Sequence, residues 1–201
     1  ERAVRAISLL KARYVVETEE WASQPVTADS SAPELLATGL SAVALGDLAT
    51  ARAAETELAK RAPDGSSQIK ITYRQVAAAI RVAEGRGDEA RSLMDEAVEI
   101  TNTQRLPNGA ANPIKPPYEL YGEILLALGR PDEALAKFET SLRRMPGRMH
   151  SLLGAARAAV ENTDLETARE HYATLVGSWR GTPEHTGYIE ARRFLSQNQH
   201  K

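Results

Sequence analysis

The stretch GRPDEALAKFETSLRRMP, Gly129 to Pro146, decides how this chain reads. A turn glycine is followed by Pro131, whose fixed φ suits the first turn of a helix. Asp132 and Glu133 come next, where negative charge favours the positive end of the helix dipole. Ala134 and Phe138 stand one turn apart, a small residue and a large one for the same packed face. Arg143 and Arg144 fall in the last turn, complementing the dipole, and Pro146 closes the helix. The same signature recurs as GDLATARAAETELAKRAP from Gly46, GRGDEARSLMDEAVEI from Gly85 and NTDLETAREHYATLV from Asn162. Each copy has a turn with Gly or Asn, an acidic residue, and an alanine in the first helical turn. These alanines are Ala51, Ala90, Ala134 and Ala168, spaced by 39, 44 and 34 residues.

The 34-residue spacing is that of the tetratricopeptide repeat, and residues 115–148 resemble that repeat in detail. Tyr118 stands at the family's Trp position, Tyr121 and Gly122 at its Leu-Gly pair, and Leu125 at its Tyr position. Ala134, Phe138 and Pro146 then fall at the family's Ala, Phe and Pro. Residues 149–182 repeat the register with Leu152, Ala155, Ala156, Ala168 and Tyr172, but Arg180 replaces the closing proline. Residues 32–65 do so with Leu35, Gly39, Ala51, Leu58 and Pro63, and 71–104 more loosely with Ala77, Ala78, Ala90, Met94 and Ala97. The resemblance, to tetratricopeptide proteins of the bacterial type, implies an all-α fold: an α-solenoid of about four antiparallel helix pairs plus terminal helices.

Three regions follow: 1–31 as a partial repeat with capping helices, 32–182 as the repeats, and 183–201 as a capping helix and tail. Residues 1–16 read as a helix and Trp21 as the start of a short second one. Thr182 reads as the N-cap of the last helix, with Pro183 in its first turn. The chain begins at Glu1 without a methionine, and is expected to be a C-terminal piece of something longer.

Composition agrees with a helical, folded protein. Of 201 residues 42% are hydrophobic and 26% charged, with Ala, Leu, Glu and Arg abundant and only 2 Phe. The net charge of -2 gives no electrostatic reason to expect a nucleic acid or an anionic membrane. No apolar run approaches the roughly 20 residues of a membrane span. The absence of cysteine removes thiolate and disulfide chemistry and leaves the compartment undetermined, cytoplasmic or periplasmic.

The search for chemistry returns little. His150, His171, His185 and His200 fall in no metal-ligand spacing, and Glu170 beside His171 points elsewhere on the helix. Gly85 and Gly87 form a repeat turn, without the strand or lysine of a phosphate site. There is no GxSxG elbow. Neither an enzyme nor a cofactor is expected. The basic run RRMPGRMH, Arg143 to His150, reads as helix-end cations before the next repeat.

The resemblance implies instead that the first helix of each repeat lines a concave groove for a protein or peptide. Carried onto matching positions, the groove residues are Thr72, Gln75, Glu119, Glu123, His150 and Arg157, and by the same register Arg13. These could equally be the solvated side of amphipathic helices. Leu36, Leu40 and Val43, at groove positions of the early copy, point to burial under the N-terminal helix or a partner. Residues 105–114 fall outside the repeats, and the proline-rich stretch RLPNGAANPIKPP (Arg105–Pro117) that contains them is either solvated decoration or a lid over the groove. Asn108, Ile114 and Lys115 are its candidate contacts, with Ile114 expected to pack against protein. The leading function is a non-catalytic interaction module. The alternatives are the substrate-positioning part of a larger enzyme and a receptor for a small ligand.

Overall fold

The computed structural model describes residues 2–107 and 113–198, and every described secondary-structure element is a helix. The described residues of 1–105 and 111–117 form one compact unit, and those of 106–110 and 118–201 form a second. In the first unit lie α1 (Arg2–Thr18), α2 (Ala32–Ala44), α3 (Leu48–Arg61), α4 (Ser67–Ala83) and α5 (Gly87–Asn102). The second holds α6 (Pro117–Ala127) from Tyr118 onward, α7 (Pro131–Arg144), α8 (Met149–Glu161), α9 (Leu165–Ser178) and α10 (Thr186–Gln197). The four helix pairs α2–α3, α4–α5, α6–α7 and α8–α9 fall on the four repeat copies. Each unit thus has the all-α, helix-pair architecture of an α-solenoid.

One turn joins the two helices of every pair. The first helix ends with a residue in the left-handed region, at φ 75° for Gly46, 74° for Gly85, 68° for Gly129 and 61° for Thr163. The next residue donates its N–H back five positions, as Asp47 does to the Ala42 carbonyl and Asp164 to that of Ala159. That residue is also the N-cap of the second helix: Asp47 and Asp164 accept from Thr50 and Thr167 N–H groups at 3.1 Å each. A single residue therefore closes one helix and opens the next, which forces an antiparallel pair. At the start of α2, Ser31 and Glu34 form a reciprocal capping box with Pro33 in the first turn.

Two sequence expectations are corrected at the ends. Residues 19–31 contain no helix, so Trp21 starts none. Glu19 takes φ 55°, the Trp21 N–H bonds the Glu19 carbonyl at 2.8 Å, and Arg61 grips the Ser30 and Ala28 carbonyls at 2.6 and 2.8 Å. These contacts hold a strap across α3 instead. At the other end, α10 is capped by His185 and not by Thr182. The Trp179 indole donates to the Thr182 carbonyl at 3.0 Å and its ring lies against His185 and Tyr188. Thr182 and Pro183 are thereby kept in a turn.

In the first unit α2 packs on α1, α3 and α4. Leu36 and Leu40 are buried there, Val43 only partly. In the second, Phe138 is fully buried with its ring against the backbone at Gly122 of α6 and Gly154 of α8. A Cβ at Gly122 would lie 2.7 Å from the ring, and one at Gly154 closer still. Alpha-carbon hydrogens at these two positions are what allow one large side chain to knit three helices.

Candidate functional site

The residues expected to line a groove separate into buried and accessible groups. Glu119, in the first turn of α6, is fully buried, and its carboxylate accepts from Arg148 Nε at 2.9 Å and Nη2 at 3.1 Å. Ser151 Oγ donates to the same carboxylate at 2.8 Å and lies 2.9 Å from Ser141 Oγ. Arg148 is the N-cap residue of α8, so this network ties the start of α6 to the turn between α7 and α8. A buried charge is tolerable only when paired and hydrogen-bonded, and Glu119 is both. Its chemistry here is internal cohesion.

Gln75 is likewise buried in α4, donating to the Lys115 carbonyl at 2.8 Å, while its Oε1 has no hydrogen-bond partner among the described residues. Thr72, one turn earlier, is buried beside Gln68. Lys115 and Ile114 are both buried, so the described end of the inserted segment is built into the first unit. Asn108 lies outside the described residues.

The accessible group comprises Arg13, Glu123, His150 and Arg157. Glu123 and Arg157 stand at equivalent positions of α6 and α8. Arg157 forms a two-pronged ion pair with Glu190 of α10, 2.7 Å at Nη2, and the Tyr172 hydroxyl donates to the same carboxylate at 2.6 Å. Burial works to raise the Glu190 pKa, but the Arg157 and Tyr172 contacts outweigh it and hold the carboxyl below its usual range. Burial and the Glu190 carboxylate push the Tyr172 phenol well above its ordinary value. Arg13 belongs to α1, which has no following helix before α2, so it does not sit in a helix pair as the other three do.

His171 is half-buried on α9, and burial lowers its imidazole below the usual range against the opposing pull of Glu139 and Glu170. No cluster of three or more His, Cys, Asp or Glu able to hold a metal occurs among the described residues. No described helix is long and apolar enough to cross a membrane.

Sequence reasoning missed a second feature, in the first unit. A groove of ≈ 880 Å³ runs between α1, the strap and α2, with Leu10 and Tyr14 on one wall and Ala37 at its floor. The signal was present in α1, which carries two apolar stripes. Ala12 and Val16 face the core, whereas Ile7, Leu10 and Tyr14 form a second row that stays exposed.

Compared with known families, residues 120–185 match the tetratricopeptide repeat model, a span from α6 to the cap of α10. No curated protein matches the chain.

Proposed function

Because the chain is a tetratricopeptide-repeat protein, its repeats recognised over residues 120–185, we propose that it is a non-catalytic module holding a peptide or protein segment on the concave side of its first helices. Tetratricopeptide repeats are generally protein-interaction modules, and this reading narrows that role to a surface. The observation that carries it is the division within the second unit. Glu119 is sequestered in the interior, while Glu123, His150 and Arg157 remain accessible on the first helices α6 and α8. Polar side chains of both signs at repeating helix positions suit an extended segment, whose charges they read in register.

The test is photo-crosslinking from positions 123 and 150 in the full chain, followed by identification of the joined peptides. A Glu123→Lys, His150→Glu double variant is compared alongside by affinity capture and circular dichroism. The reading predicts cross-links into one extended partner segment, and loss of partner capture by the double variant with the fold intact. Equal capture by wild type and variant would remove it. Arg157 is left untouched, because reversing it also releases Glu190 of α10.

A further inference from the structure

We propose that the groove between α1, the strap and α2 is a second binding site, for an extended peptide in which a leucine-like side chain is flanked by an acidic and a basic residue. Three features of the first unit carry this. The first is the cavity itself, whose ≈ 880 Å³ lies in the range of built ligand sites. Leu10 and Tyr14, which line it, are 61% and 54% exposed, and Val15 and Ala37 continue the apolar surface inward. An apolar side chain seated here would cover surface the fold leaves in water.

The second feature is the strap. Between Ala22 and Val26 it passes without helix or turn, and Pro25 biases the preceding residue toward an extended backbone. Among the described residues, the backbone groups of Ala22, Ser23, Gln24 and Val26 make no hydrogen bond. Of these, Ala22 and Gln24 line the groove, and their open N–H and C=O groups, at alternate positions of the strap, suit strand-like pairing with an extended chain; a helix satisfies its own backbone and could not use them.

The third feature is charge. Of the charged side chains lining the groove, Glu34 is occupied by the Ser31 N–H at 2.7 Å and the Ser8 hydroxyl at 2.7 Å. Lys11 on the α1 wall lies in the field of Glu34 and helps the Ser31 N–H hold that carboxyl below its usual range, but neither Lys11 nor Asp29 on the strap makes a direct ion pair among the described residues. An occupant therefore presents a carboxylate toward α1 and a cation toward the strap. A second copy of the chain, laid antiparallel along the Ile7–Leu10–Tyr14 row, would bring two Lys11 side chains together, and is disfavoured on that ground.

The proposal stands independently of the second unit, and its test uses the full chain. Fluorescein-labelled octapeptides with a central leucine are titrated by fluorescence anisotropy in three forms, flanked by Glu and Lys, by two Glu, or by two Lys. The mixed peptide is expected to bind about tenfold more tightly than either other. Lys11→Glu should move the preference to the two-Lys peptide and Asp29→Lys to the two-Glu peptide. Leu10→Asp should abolish binding without lowering the melting temperature, because the side chain is exposed. Binding should also slow amide exchange at Ala22–Gln24 and Val26. Equal affinity for all three forms, no binding by any, or binding only by a helix-forming control would overturn the proposal. So would a concentration-dependent dimer that Leu10→Asp dissolves, since the occupant would then be a second copy.

Discussion

Thr163 occupies, at φ 61°, the place that Gly46, Gly85 and Gly129 fill in the other three turns. A β-branched residue pays a steric penalty there that glycine does not, partly offset by the greater freedom of glycine in the unfolded chain. Thr163→Gly should stabilise the protein by about 0.5–1 kcal/mol, read from urea denaturation midpoints. The opposite sign is expected at Glu119. Glu119→Gln keeps the shape but removes the carboxylate charge paired with the buried Arg148, at a cost of about 3–5 kcal/mol. Pairing Glu119→Leu with Arg148→Met should recover most of that loss, because it removes both charges from the interior. Glu190 makes a pH prediction. Its folded pKa is lowered, so its contribution is present above the unfolded carboxylate pKa of about 4.3 and fades as pH falls through the folded value. The stability gap between wild type and Glu190→Gln should therefore be constant near neutrality and shrink in acid. Tyr172→Phe should raise the Glu190 titration midpoint seen by NMR, since it removes a donor to the carboxylate.

Among the helices, α6, α7 and α8 depend on one ring. Phe138→Ala should cost about 3–5 kcal/mol, the usual penalty for emptying a large core position. Gly154→Ala should destabilise by about 1–3 kcal/mol, because the new methyl meets the Phe138 ring. The two effects are not independent. In the Phe138→Ala background, Gly154→Ala should be close to neutral, and a double-mutant cycle should give a coupling of more than about 1 kcal/mol. Additive costs would mean that the ring does not bridge the helices as described. The helix boundaries were legible beforehand because local chemistry sets them: Pro131, Asp47 and the turn glycines act within a few residues of where they stand. The end segments were not, because long-range contacts override local pattern there: Thr182 carries an ordinary helix-start signal, and Trp21 follows a helix-like run, yet neither starts a helix. Arg61 holds the strap from more than thirty residues away, and the Trp179 indole holds Thr182 in a turn.

Over the molecule as a whole, protection from exchange should follow packing. Amides of α4 and α8, both heavily buried, should exchange slowest in their respective units, and those of Ala22–Gln24 and Val26 near their unprotected rates. The inserted segment is anchored at its described end, where the Lys115 carbonyl bonds Gln75 and Ile114 is buried. Ile114→Ala should therefore lower stability by about 2–5 kcal/mol in thermal melts, as for a core residue, and not behave as a change in a solvated loop.

The sequence by itself determined the repeat, its register, the turns and the core positions such as Ala134, Phe138 and Ala168. These follow from period, propensity and turn stereochemistry, which are short-range. Only the tertiary structure decided what each polar side chain faces. Thr72, Gln75 and Glu119 occupy first-helix positions like those of Glu123 and Arg157, yet the former are interior and the latter accessible. Helical periodicity places a residue on a face but does not say what packs over that face. For Glu119 that is an arginine 29 residues away, and for Leu10 and Tyr14 it is a groove that exists only because the strap is not a helix.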